Sequence, residues 1–156
     1  MSAESVPART VETIEELKAL VGQELGAGRW LELTQERVNA FADVTGDHQW
    51  IHVDPERAAA GPFGTTIAHG FLTLSLCVPM LYELLPTTGG TVVNYGVDRV
   101  RFPAPVPSGR RIRGRFRIVS IEPAGAGERV QLEAQVECEG VEKPVCVAEL
   151  VLLTLP

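Results

Sequence analysis

Residues 69–85, "HGFLTLSLCVPMLYELL", are apolar on nearly every side of the helix they would form. A helix without a polar stripe cannot lie on a surface, so the rest of the chain must wrap it. Pro79 stands inside the run and predicts a kink or break, because it lacks an N–H and its ring crowds the preceding turn. After Gly90 come four long segments, "TVVNYGVDRVRF", "RRIRGRFRIVSIE", "ERVQLEAQVECEG" and "PVCVAELVLLTL". They are β-branched and largely alternating, the pattern of strands. In the second, Ile112, Phe116 and Ile118 face one way and Arg111, Arg113, Arg115 and Arg117 the other. The separators "PAPVPSG", "EPAGAG" and "GVEKP" are turn-like. This order predicts an α+β domain in which a curved antiparallel sheet wraps one long central helix.

The preceding half is helical and irregular. "TIEELKALVGQEL" predicts a short helix with Thr13 as N-cap and Glu16 closing a capping box, followed by "GRWLEL" as a strand. "TQERVNAFADVTG" carries Val38, Phe41 and Val44 at helical spacing, with Thr34 as cap and Gly46 as the C-terminal glycine. Residues 47–53 then read as loop, and Asp54-Pro55-Glu56 opens another short helix. "AAAGPFGTT" is a Gly/Pro loop that lets backbone approach a neighbour closely.

The 156 residues fit one domain, residues 1–156, and the net charge of −6 argues against nucleic acid as a partner. No apolar run reaches membrane-spanning length, and "MSAESVPART" has neither the basic start nor the apolar centre of a secretory leader. Cys77, Cys138 and Cys146 form no framework and read as reduced, cytoplasmic thiols; a hairpin could bring Cys138 and Cys146 together, but the favoured reading is two small residues in strands. Arg99, Arg101, Arg110, Arg111, Arg113, Arg115 and Arg117 are half of the 14 Lys and Arg, with no acid among them. A basic strip on an acidic protein suggests a small anionic ligand; residues 111–117 alone read as a solvated outer strand face.

The chemistry concentrates in "GDHQWIHVD", residues 46–54. Asp47 and His52 stand five apart, close enough to grip one water, with one group taking a proton while the other gives one. The same pair also fits a structural hydrogen bond. A metal reading would use His48 and His52 with Asp47, Asp54 and His69, but Gly46, the Gln49-Trp50 pair and Pro55 oppose the helix that reading needs. His69-Gly70 opens the apolar helix, where free N–H groups point outward and Gly70 leaves them accessible to an oxyanion; close packing is the other use of that glycine.

"FADVTGDHQWIHVDPERAAAGPFGTTIAHGFLTLSL", followed by "NYGVDRVRFPAPVPSG", resembles the MaoC-like dehydratases and R-specific enoyl-CoA hydratases, and within them the nodulation-protein-N-like branch. The resemblance runs from about residue 20 to the end. It implies the hot-dog fold and reversible hydration of trans-2-enoyl-CoA to (R)-3-hydroxyacyl-CoA, with no metal or redox cofactor. Asp47 and His52 fall on the family's catalytic pair and Gly70 on its oxyanion donor. Gln49-Trp50 stands where many relatives have Asn-Pro, so Gln49 is expected at the water or substrate. His69 is expected beside the substrate, Arg101 at the CoA phosphates, and Ile67, Leu72, Tyr95 and Phe102 along the acyl chain. Relatives pair two protomers into one continuous sheet, which predicts at least a homodimer. Two rivals remain open: a thioesterase on the same fold, for which the helix offers only Glu83, and a non-catalytic acyl-CoA-binding subunit.

Overall fold

The computed structural model describes residues 9–86 and 90–156. The reading of the N-terminal residues as lacking a leader falls on 1–8, outside that range. In chain order the elements are α1 (Ile14–Lys18), β1 (Glu24–Ala27), β2 (Leu31–Glu32), α2 (Gln35–Thr45), α3 (Trp50–Val53), α4 (Pro55–Ala59), α5 (Gly70–Ser75), α6 (Cys77–Leu84), β3 (Thr91–Arg101), β4 (Arg111–Ala124), β5 (Gly127–Cys138) and β6 (Cys146–Leu155). The strands form one antiparallel sheet in the order β1-β4-β5-β6-β3, with β2 also on β4. The four long strands lie where the alternation puts them. β1 and β2 are two pieces of one edge, both registered on β4, interrupted at residues 28–30.

Two expectations fail for local reasons. The first helix ends at Lys18, not near Leu25: Gly22 takes φ 81° and turns the chain, and Leu25 becomes a buried residue of β1. The apolar run is two helices, not one. Pro79 cannot donate to the Ser75 carbonyl four residues back, and the break between α5 and α6 falls at Leu76, one residue beyond that carbonyl.

The core lies where the sheet wraps these helices. α6 brings Cys77, Met80, Leu81 and Leu84, and the sheet brings Ile112, Phe116, Ile118, Leu132, Val136 and Leu150, all buried. α6 packs on β4 and β1, and α5 on β6. The three cysteines are buried and unbridged; the Cys77 thiol donates to the Thr73 carbonyl at 3.8 Å, and Cys146 pairs across the sheet with Val136 rather than with Cys138. Among the described residues, no helix is long and apolar enough to cross a membrane.

The arginine face of β4, expected as a solvated outer strand face, is in fact ion-paired, and Arg113 in it is buried. Each arginine from 111 to 117 meets a glutamate: Arg111 with Glu139, Arg113 with Glu137 at 2.8 Å, Arg115 with Glu137 at 2.6 Å, and Arg117 with Glu24 at 3.4 Å. The Arg113 guanidinium lies 4.4 Å from the Trp30 ring centre. Burial pushes the Glu137 carboxyl up, but the two arginines outweigh it and hold it below the usual carboxylate range.

Gly114, in the middle of β4, sets how closely α6 approaches. A Cβ built there would lie 2.6 Å from the Phe116 ring and 3.2 Å from Cβ of Met80. Both neighbours are buried and have nowhere to move. Gly114→Ala is therefore expected to lower stability by about 1–3 kcal/mol through overpacking. Urea unfolding followed by tryptophan fluorescence checks this; an unchanged midpoint would show that the helix is free to shift.

Candidate active site

The site is built on the stretch between α2 and α5. Thr34 caps α2 by accepting the Arg37 N–H at 3.2 Å, and Gly46 ends it in the left-handed region at φ 79°. The helix buries Val38 and Ala42; Val44, expected on the same face, is 82% exposed. The chain reverses at Gly46 and delivers Asp47. Residues 50–53, expected as loop, make one helical turn, α3, which carries His52 inward. Asp54 then caps α4 by accepting the Arg57 N–H at 3.0 Å.

His52 is buried, and its Nδ1 lies 2.7 Å from the Ile67 carbonyl. A carbonyl only accepts, so Nδ1 carries the proton and Nε2 keeps the lone pair. Burial lowers the His52 pKa below its ordinary value; the Ile67 carbonyl opposes this, a neighbouring His69 charge would reinforce it, and Asp47 opposes it. The ring is therefore neutral at physiological pH. A carboxylate oxygen of Asp47 and one ring nitrogen each of His52 and His69 lie within 4.8 Å of one another.

A composition-level reading missed the frame behind His52. Gln35, the first residue of α2, donates at 2.7 Å to the His52 carbonyl and accepts from the Thr66 hydroxyl. The strap of residues 66–68 is pinned on both sides: Ile67 N–H to the Ile51 carbonyl at 3.0 Å, Ala68 N–H to Val106 at 2.8 Å. Spacing held no signal for Gln35 and Thr66, which stand 31 residues apart.

His52 opens on a cavity of about 290 Å³ lined by Phe63, Ile67, Gly70, Thr73, Phe102 and Val145 among others. Ile67 and Phe102, expected along the acyl chain, both line this cavity. A Cβ on Gly70 would lie 2.8 Å from the Phe102 ring, so only glycine lets that ring close over the start of α5. Leu72 is instead core, and Tyr95 is 67% exposed on edge strand β3, away from the cavity lining. His69 is buried but does not line the cavity either. Arg101 is exposed, next in sequence to Phe102, and among the described residues its guanidinium bonds the Val100 carbonyl at 2.7 Å. Gln49 contributes through its backbone: its N–H lies 3.4 Å from Asp47 Oδ1 and its carbonyl accepts the His52 N–H at 2.9 Å. Glu83 faces elsewhere, paired with Arg29 at 2.8 Å.

The three converging ligand atoms have the chemistry of a cation site, but not its geometry. An imidazole binds a metal along its in-plane lone pair at about 2.0–2.1 Å. The His52 and His69 rings are stacked at 3.8 Å and 25°, so their in-plane lone pairs lie in nearly parallel planes and are not both directed at one ion. His48 has left the group altogether and bonds Asp43 at 2.8 Å on the surface. The arrangement suits proton transfer beside an apolar slot.

The sheet, the helices it wraps and this site define a hot-dog protein of the dehydratase type. The MaoC-like domain matches residues 16–142, and the chain belongs to the MaoC-like dehydratase family. It is 53% identical over 147 residues to 3-hydroxyacyl-thioester dehydratase Z of Mycobacterium tuberculosis, covering 92% of this chain and 97% of that one. Nodulation protein N of Rhizobium leguminosarum bv. viciae is 43% identical over 145 residues, 90% of each chain. Among solved structures, the (R)-hydratase from A. caviae involved in PHA biosynthesis superposes with a TM-score of 0.72 at 26% identity, covering 87% of this chain and 96% of that one.

The lowered His52 pKa sets a direction for pH dependence. As pH falls, the imidazole keeps its lone pair until the pH drops through its folded-state value, which lies below the ordinary 6.5. The acid limb of kcat/KM is therefore expected to break below pH 6.5. A rate profile between about pH 4.5 and 8 in matched ionic strength tests it; a break above the ordinary histidine value would mean that burial does not govern this ring.

Proposed function

We propose that the protein is an (R)-specific enoyl-CoA hydratase, adding water reversibly and syn across the double bond of trans-2-enoyl-CoA to give (R)-3-hydroxyacyl-CoA. The observation that carries this reading is a neutral His52 whose Nδ1 is bonded to the Ile67 carbonyl, with a ring nitrogen within 4.8 Å of an Asp47 carboxylate oxygen, lining an apolar cavity that Gly70 also lines. The relatives' names, a 3-hydroxyacyl-thioester dehydratase and an (R)-hydratase, support it.

Hydration needs a base for water, a stabiliser for the enolate and a proton for the α-carbon. Asp47 and His52 hold the water between them on one face of the double bond. The hydroxyl adds to the β-carbon as one of the pair takes its proton. Charge moves to the thioester oxygen, where the Gly70 N–H at the start of α5 receives it. A proton then returns to the α-carbon on the same face, and dehydration reverses the roles. The addition is one hydroxyl and one proton with no net change of oxidation state, so it needs no redox group, and in this reading the two side chains rather than a metal handle the proton. Phe63, Ile67 and Phe102 hold the acyl chain, and Arg101 is free for a CoA phosphate. The thiols Cys77, Cys138 and Cys146, all unbridged, suit the cytoplasm.

The functional unit is a homodimer. β3 is a sheet edge with Val93, Tyr95 and Val97 exposed at 40%, 67% and 47%, and Phe71 and Phe102 exposed nearby. Unpaired edge N–H and C=O groups beside apolar side chains are what a second copy covers. Light scattering is expected to give twice the chain mass, and the double variant Tyr95→Glu with Val97→Glu to give monomer; a wild-type monomer would remove this part of the reading.

With crotonyl-CoA, loss of conjugated absorbance without thiol release is expected, and chiral analysis should return the (R) product. Asp47→Asn and His52→Ala should each reduce kcat by about 10²–10⁴ while leaving the melting temperature within a few degrees. Full activity in either variant, or an (S) product, overturns the proposal.

A further inference from the structure

We propose that His69 is a positioning residue that fixes both halves of the catalytic pair from a single ring. The inference rests on the hydratase reading and adds a residue that does not touch the cavity. The edge of the His69 ring holds one partner: Nε2 donates at 3.0 Å to the backbone carbonyl of Asp47. Its face holds the other, stacked on His52 at 3.8 Å and 25°. Phe41 of α2 closes over it at 5.0 Å, and the residue is 3% exposed, so the ring cannot swing away. Its main chain is fixed as well, because it is the N-cap of α5 and its carbonyl accepts the Thr73 N–H at 3.2 Å. One residue thereby ties the Asp47 loop, the plane of His52 and the helix start that carries Gly70.

A buried histidine kept only for packing would have both nitrogens satisfied, or would be replaced by an apolar ring. His69 does neither. Nε2 makes the bond to Asp47, while Nδ1 is buried with no hydrogen-bond partner among the described residues. That orphan costs stability which phenylalanine would recover. A residue that lowers stability at the back of a reaction centre is the pattern of a group retained for geometry. His69 was expected beside the substrate; the structure moves it behind the pair that reacts.

Two variants separate the ring's tasks. His69→Phe keeps the stacked face and the fill but loses the donor to Asp47. His69→Gln restores an N–H donor at similar reach without the aromatic face. With crotonyl-CoA, His69→Phe is expected to melt at or above the wild-type temperature. Its kcat should fall about 10–100-fold, as misplaced reacting groups do, with KM within about 3-fold. His69→Gln should recover at least about 5-fold of the lost kcat through the restored hydrogen bond. The proposal is overturned if His69→Phe keeps kcat within about 2-fold, if only KM changes, if activity merely follows melting temperature, or if glutamine gives no recovery. The wild type runs in the same assay: an inactive wild type would remove the hydratase reading and this proposal together, whereas an active wild type with an indifferent His69→Phe would remove this proposal alone.

Discussion

An imidazole serves as a base only if its proton sits on the other nitrogen. In this protein the hydrogen bond from His52 Nδ1 to the Ile67 carbonyl makes that choice. The bond is 15 residues long in sequence, so its strength depends on how firmly the strap before α5 is held. The strap is held by backbone on both sides and by the Thr66–Gln35 bond, and Gln35 also fixes the carbonyl of His52 itself. Gln35 therefore touches both ends of one connection from the first turn of α2. Orientation comes from the scaffold and leaves only proton transfer to the reacting groups.

The charges on the outer face of the sheet are largely paired with one another. The β4 arginines answer the β1 and β5 glutamates across strands, and the buried Arg113 is covered by Trp30. Partly exposed pairs of this kind contribute little each. Their consequence is selectivity: strand arginines locked to glutamates do not compete with Arg101 for an anion near the cavity.

The strands were legible because β-branched alternation survives any tertiary context, and α2 because Thr34 and Gly46 mark its ends. That Asp47 and His52 come together and that Gly70 opens a helix was legible because loop spacing and a helix start are short-range signals. What stayed hidden is long-range or set by competition. Leu25 fits a helical stripe as well as a strand, and only pairing with β4 decides it. α3 was hidden because a single turn is marginal alone and forms here on the support of Gln35 and the strap. The strip's neutralisation was hidden because each partner glutamate lies some 22–93 residues away.

Position 49–50 shows how a departure from the family pattern is absorbed. What position 49 supplies to the pair is an N–H beside Asp47 and a carbonyl under the His52 N–H, both from backbone. Gln and Asn supply these backbone groups alike, and Gln49 itself is exposed. Trp50 is the more demanding change, since its ring needs room. Gly61 provides it: a Cβ there would stand 2.9 Å from the ring. Arg57 covers the indole at 4.5 Å. Gly61 and Arg57 are thus the neighbours that let an indole stand beside His52 while α3 keeps its turn.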